Sequence, residues 1–332
     1  MLARSDALAG NDPLERDILP LLPSRLQQLI REWMLRHPAE SRTVSEIRLR
    51  SGYPICLCYS GADALLGAEG AAHAGPVAGA RGIPAPVSRE EVRKTLSLVS
   101  NCSYYALESE FANGYVTIPG GHRVGLAGEV ALWPDGSVRI REVAGMNFRV
   151  ARAVPGVAER IAGRLAGPNG RLLSTLIISP PGCGKTTMLR DLCRLSSEGF
   201  PPAGIRPSQV GVVDERSEIA ACYMGVPQHP LGPRVDVLDR CPKAKGIMML
   251  LRSMGPGVIA TDEIGSDEDA RAVGTALSAG ASVLATCHGD DVESLRRRPH
   301  SSWLVSSGYF ERVVVLSRRL GPGTVEHAGA LQ

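Results

Sequence analysis

The sequence predicts an α/β fold in two parts. A smaller α+β N-terminal domain covers residues 1–150, and a domain built on a mainly parallel sheet covers 151–332. Three observations predict it. After residue 151, strand-like and helix-like stretches alternate, which implies a parallel sheet covered by helices on both faces. The first part instead carries short alternating segments with Gly-Gly and Pro-Asp-Gly turns, as in an antiparallel meander. Finally, the apolar run LSTLII passes directly into SPPGCGKTT (179–187), the strand, turn and helix start of a phosphate-binding unit.

The composition sets wide bounds. A chain of 332 residues can bury a large core in two domains. Hydrophobic content of 44% and charge of 21% describe an ordinary soluble globular protein. A formal net charge of +3 is too small to announce a nucleic-acid binder. No apolar run approaches the roughly 18 residues of a membrane helix, and MLARSDALAGNDPLERD has no apolar stretch of a secretory signal. The eight cysteines form no CxxC pair, and Cys183 lies inside the phosphate loop. Cys56 and Cys58 share one face of a strand and read as small apolar residues. A reducing, cytoplasmic compartment is expected.

In chain order, residues 22–34 place Leu22, Leu26, Leu29, Ile30, Trp33 and Met34 on one helical stripe. EIRLRSG and YPICLCYSG follow as a strand pair, and the Gly/Ala/Pro-rich stretch 67–86 reads as a flexible loop. Ser88 and Glu91 form a capping box that opens a helix. YVTIPGG, HRVGLAGEVALWPDGSVRIREV and FRVARAV make the meander. Beyond 151 the strands are LSTLIISP, VGVVDE, GVIATDE, SVLATCHG and RVVVLSR.

The turn 179–187 departs from GxxxxGK[ST] at its first position, where Ser179 stands, and continues with Pro180 and Pro181. Prolines have no N–H to donate. Gly182, Cys183, Gly184, Lys185 and Thr186 keep theirs, and consecutive N–H groups at a helix N-terminus are what hold a phosphate. Lys185 is placed to reach the β- and γ-phosphates, Thr186 offers a hydroxyl to magnesium, and Thr187, next after the motif, is expected among the cofactor-binding residues. The serine is expected to cost about 1 kcal/mol in torsional freedom. ATP and Mg²⁺ are the ligands this loop implies.

Three further strands end in reactive groups. GVIATDEIG ends in Asp262, suited to the magnesium water shell, and Glu263, suited to orienting or deprotonating a water. VGVVDERSEI ends in Asp214, Glu215 and Glu218 with Arg216 among them. SVLATCHGDD ends at His288, which emerges at the carboxyl edge of the sheet, where α/β proteins bind ligands. A γ-phosphate sensor is its expected role.

Taken together, SPPGCGKTT, DERSEI, LLRSMGPGVIATDEIG and ATCHG resemble the secretion-type ATPases of type II and type IV secretion and pilus retraction. Those carry a phosphate loop (Walker A), an acidic box, a Walker B element and a histidine box in this order. HRVGLAGEV, DERSEI, CPKAKGIMMLLRSM and TDEIG are similar to the stage III sporulation protein AA family. The resemblance implies a RecA-like P-loop ATPase domain after the α+β domain. It also implies a motor of a secretion-like channel between mother cell and forespore. Carried over residue by residue, Lys185 and Thr186 match the phosphate loop, Glu215 the acidic box, Asp262 and Glu263 Walker B, and His288 the histidine box. Membrane-embedded channel proteins as partners, a peripheral place at the membrane and a homo-hexamer follow from the same likeness.

The rival reading is a single-stranded nucleic-acid-dependent P-loop ATPase, for which the run Arg296 to His300 offers a spacing. No interleaved aromatics accompany it, so direct nucleic-acid contact is not expected. A small-molecule kinase lacks an Arg-rich lid, and a scaffold without turnover is at odds with the pair Asp262 and Glu263. An arginine finger is expected from Arg216 or Arg252 near the sheet edge, or from Arg123, Arg141, Arg149 or Arg152 of the first domain.

Overall fold

The computed structural model describes residues 12–67, 72–73, 85–101, 114–133, 138–297 and 302–331. Most of the expected loop 67–86, all but the last residue of YYALESEFANG and the Pro-Asp-Gly turn lie outside the described residues. The chain divides into two compact units, Met1–Arg152 and Ala153–Gln332. Among the described residues no helix is long and apolar enough to cross a membrane.

In the first unit, α1 (Ser24–Arg36) buries Leu26, Leu29, Ile30 and Trp33, the stripe the sequence spacing sets. The sheet holds β1 (Val44–Arg50), β2 (Ile55–Tyr59), β3 (Ala62–Leu66), β4 (Ala72–His73), β5 (Tyr115–Ile118), β6 (His122–Leu132) and β7 (Val138–Arg149). Their order is β4-β3-β2-β1-β7-β6-β5, antiparallel throughout. The strand pair and the meander are therefore one sheet, joined where β1 lies against β7. α2 (Arg89–Val99) starts from the Ser88–Glu91 capping box, and Glu91 also receives Arg25 of α1 at 2.8 Å.

The second unit carries β8 (Thr175–Ser179), β9 (Val210–Asp214), β10 (Val235–Asp239), β11 (Val258–Thr261), β12 (Ser282–His288), β13 (Arg312–Ser317) and β14 (Thr324–Ala330). The order is β10-β9-β11-β12-β8-β13-β14, parallel except for the last pair. Alternation divides the strand side chains between two cores. Ile177, Val212, Ala260, Leu284 and Val314 meet Met188, Leu189 and Leu192 of α3 (Lys185–Glu198). Ile178, Val213, Ile259, Val283 and Val315 meet Ile247 and Leu250 of α4 (Lys243–Ser253) and Val273 and Ala276 of α5 (Asp267–Ser278). Each fully buried leucine or isoleucine stabilises by roughly 1.5–3 kcal/mol, so both faces must be covered. The outer strands β10 and β14, VDVLD and TVEHAGA, escape the sequence reading. As sheet edges they are half-buried and polar, and so lack the apolar run that marks the inner strands.

Candidate active site

β8 delivers Ser179 to the carboxyl edge, buried and in register with His288 of β12. Ser179 is the last residue of an ordinary strand and is absent from the positive-φ positions, so the expected torsional cost does not arise. Its hydroxyl donates to the carbonyl of Pro180. The left-handed turns fall later, at Gly182 (φ +69°) and Gly184 (φ +88°), where glycine carries no Cβ penalty. Gly184 caps α3, whose first residues are Lys185, Thr186 and Thr187, all half-buried.

The Lys185 ammonium donates to the carbonyls of Ser179 (2.9 Å) and Pro180 (3.2 Å) and to Nδ1 of His288 (3.0 Å). Burial holds its pKa below the ordinary lysine value. An ammonium can only donate, so Nδ1 accepts and the proton of the neutral ring sits on Nε2. That nitrogen faces Oε1 of Glu263, and the other Glu263 oxygen accepts from Arg216 Nη1 at 3.1 Å. Arg216, Glu263, His288 and Lys185 thus form one row along the carboxyl edge. They follow β9, β11, β12 and β8, which is the order of the strands in the sheet.

The acids behind this row differ among themselves. Asp214 accepts three backbone N–H groups, from Glu218, Ile219 and Ala220, at 2.8, 2.9 and 2.8 Å. It fixes the turn after β9, with both of its oxygens engaged by backbone. Glu218 takes part through its carbonyl, which accepts from Arg190 of α3. Glu215 is paired with the ammonium of Lys243, which also stands 3.5 Å from Oδ1 of Asp262. Asp262 is buried, its Oδ1 makes no hydrogen bond, and burial pushes its pKa up to about 6 against the pull of Lys243.

An unsatisfied buried carboxylate oxygen on Asp262, and the Thr186 hydroxyl at the start of α3 with no bond among the described residues, fit the oxygen-rich demands of a magnesium ion.

Two residues escape the sequence reading. Lys243 is one, although a lysine in the first turn of a helix opposes the helix dipole and is a visible anomaly. Arg318, just beyond β13, is the other: its Nε donates to the carbonyl of Gly182 at 3.0 Å. The hairpin it begins reaches the loop again, where Gly323 N donates to Cys183 O at 3.0 Å. Arg252 does not belong to this edge. It lies in the last turn of α4, whose first residue is at the site, and α4 runs back to the opposite edge where β11 begins. Arg123 lies over the Tyr115 ring, Arg141 and Arg149 face Glu129 and Glu46, and Arg152 donates to Val44 O, all within the first unit. Arg296 pairs with Glu293, and the rest of its run to His300 extends past the described residues. The seven described cysteines form no disulfide, and burial pushes the Cys56 thiol up to about 11.

Residues 15–329 match the family model described as Sporulation stage III, protein AA. The chain is 43% identical over 309 residues to Stage III sporulation protein AA of Bacillus subtilis (strain 168), covering 93% of each. It is 30% identical over 184 residues to the uncharacterized protein ycf45 of Porphyra purpurea, with 54% of this chain and 30% of that one covered. Among solved structures, the Legionella pneumophila ATPase DotB superposes with a TM-score of 0.53 at 14% identity, over 89% of this chain and 76% of that one. The pilus retraction motor PilT with bound ADP gives a TM-score of 0.53 at 16% identity, over 87% and 76%. The fold is that of the RecA-like secretion ATPases.

Proposed function

Since the chain belongs to the stage III sporulation protein AA family, we propose that it is the ATP-hydrolysing motor of a secretion-like channel complex acting in spore formation. It works in the mother-cell cytoplasm on membrane-embedded channel proteins that face the forespore. The observation that carries this reading is the row Arg216, Glu263, His288, Lys185 beside the phosphate loop. A pilus retraction motor of the same fold holds ADP, which supports nucleotide as the ligand.

The N–H groups of Gly182 to Thr186 and the Lys185 ammonium receive the β- and γ-phosphates. Lys185 is already held at the strand end by two carbonyls, so little ordering is needed when phosphate arrives. Turning to the phosphate, it leaves His288, whose freed Nδ1 then reports on the γ-phosphate. Thr186 and Asp262 are the residues that would hold a magnesium ion, which when bound would offset the phosphate charge. Glu263 orients the attacking water and takes its proton as the oxygen–phosphorus bond forms and the bond to the ADP oxygen breaks. Glu215, tied to Lys243, is a second acid within this site.

Titration of a fluorescent ATP analogue together with phosphate release tests the reading. Lys185→Ala is expected to lose detectable binding. Glu263→Gln is expected to keep its affinity and lose turnover by about 10²-fold or more, and His288→Ala to bind normally and hydrolyse slowly. Parent turnover in both of the last two variants would overturn the assignment and make Glu215 the base.

A further inference from the structure

Lys243 is the first residue of α4, and it occupies a place where an ammonium is doubly unfavourable. It faces the positive end of the helix dipole, and its side chain is 8% exposed. The compensation is local: contact with the Glu215 carboxylate and 3.5 Å to Oδ1 of Asp262, itself 8% exposed. Asp214, Glu215 and Asp262 bring three acids to this region, and Asp262 is raised to about 6 by burial, then by Asp214 and Glu215. One turn along α4, Gly246 lets the helix lie against β9; a Cβ there would stand 2.5 Å from Val213 Cγ1. The helix start is therefore held close to the acids.

Asp262 is also the residue that, on the reading above, faces the magnesium ion. The ion and Lys243 are then rivals for one carboxylate. We propose that Lys243 is a positioning residue that serves as the internal cation of this site: it neutralises Glu215 and Asp262 while no divalent ion is present, and gives up Asp262 when one arrives. Ion occupancy is in this way passed to the first turn of α4. The inference rests on Asp262 facing the metal, and it does not require that nucleotide be bound.

The test is Mn²⁺ binding to the nucleotide-free full chain, read by electron paramagnetic resonance. Lys243→Met and Lys243→Gln are expected to bind Mn²⁺ at least about fivefold more tightly than the parent, since attraction between the ion and the acids is no longer opposed by a fixed positive charge. Lys243→Arg is expected to stay within about twofold of the parent, because it restores that charge. Adding Asp262→Asn to Lys243→Met should remove the gain. Equal or weaker Mn²⁺ binding by the neutral variants, with parent-like circular dichroism, would overturn the proposal and leave Lys243 a structural residue. Should neither neutral variant fold, the parent still answers. Saturating Mn²⁺ is expected to raise the labelling of Lys243 by an amine-reactive reagent, and unchanged labelling overturns the idea. Failure of the ATPase reading would show separately, as absent binding of a fluorescent ADP analogue by the parent.

Discussion

Asp214 and Asp262 are the same side chain at the ends of neighbouring strands, and their surroundings give them different work. Asp214 accepts three backbone N–H groups, whereas Asp262 leaves a buried oxygen without a hydrogen bond. Removing a partner from a buried donor costs about 1–3 kcal/mol, whereas at Asp262 burial disfavours the charge by more than the Lys243 ammonium, 3.5 Å away, offsets. Asp214→Asn turns an acceptor into a donor that faces backbone N–H groups, so it is expected to lose about 2 kcal/mol of stability. Asp262→Asn is expected to stay within about 0.5 kcal/mol of the parent or to exceed it. Urea denaturation in magnesium-free buffer at neutral pH separates the two; equal losses would mean that Asp262 is structural as well. The strand-end acids were legible in the sequence. Which of them the backbone consumes was not, because the three donors come from the following turn.

His122 and Gly246 show how single positions set whole elements. His122 opens β6 within HRVGLAGEV. Its Nδ1 accepts from Ala151 N at 2.9 Å, and its Nε2 lies 3.1 Å from Asp17. Burial holds its pKa below the ordinary value, with Asp17 pulling the other way. The unfolded chain therefore takes up the proton first. This group's contribution to stability is complete above about pH 6.5 and declines as pH falls below it towards the folded value. His122→Gln keeps one donor and one acceptor but cannot protonate, so its stability should fall less between about pH 6.5 and 5. Thermal melts across that range check this, and an unchanged slope would place the acid sensitivity elsewhere. On α4, Gly246→Val adds a side chain against Val213 and is expected to cost about 1–3 kcal/mol. It should also lift Lys243 from Glu215, so lowered melting and altered Mn²⁺ affinity are expected together. A melting loss with parent Mn²⁺ affinity would uncouple the helix from the site.

At the scale of the whole molecule, the question is what completes the proposed triphosphate site. Arg216 and Arg318 stand at the site within this chain, one on Glu263 and one on the phosphate loop. If the protein works as a homo-hexamer, an arginine of the first unit reaches the γ-phosphate of an adjoining subunit, and phosphoryl transfer gains about 10³–10⁵ in rate from such a contact. Turnover per subunit is then expected to rise with protein concentration. A Lys185→Ala protein mixed with an Arg149→Ala, Arg152→Ala protein, each inactive alone, should recover activity. A strict monomer with a concentration-independent rate would sink the ring. Measuring mass and rate on the same samples decides it.

The sequence by itself determined the local features. The apolar strands of the second unit, the capping box at Ser88, the glycine turns before Lys185 and the residue types at each strand end all follow from periodicity, turn chemistry and short spacing. The tertiary structure alone decided which strand lies beside which. Parallel neighbours are joined through helices rather than turns, so their order leaves no local signal. That order brings Arg216, Glu263, His288 and Lys185 into one row, and it sends Arg252 to the far edge while Arg318 arrives at the phosphate loop. The pairing of β1 with β7 and of Lys243 with Glu215 is of the same kind. These contacts join residues far apart in the chain, and no window of neighbouring residues contains both partners.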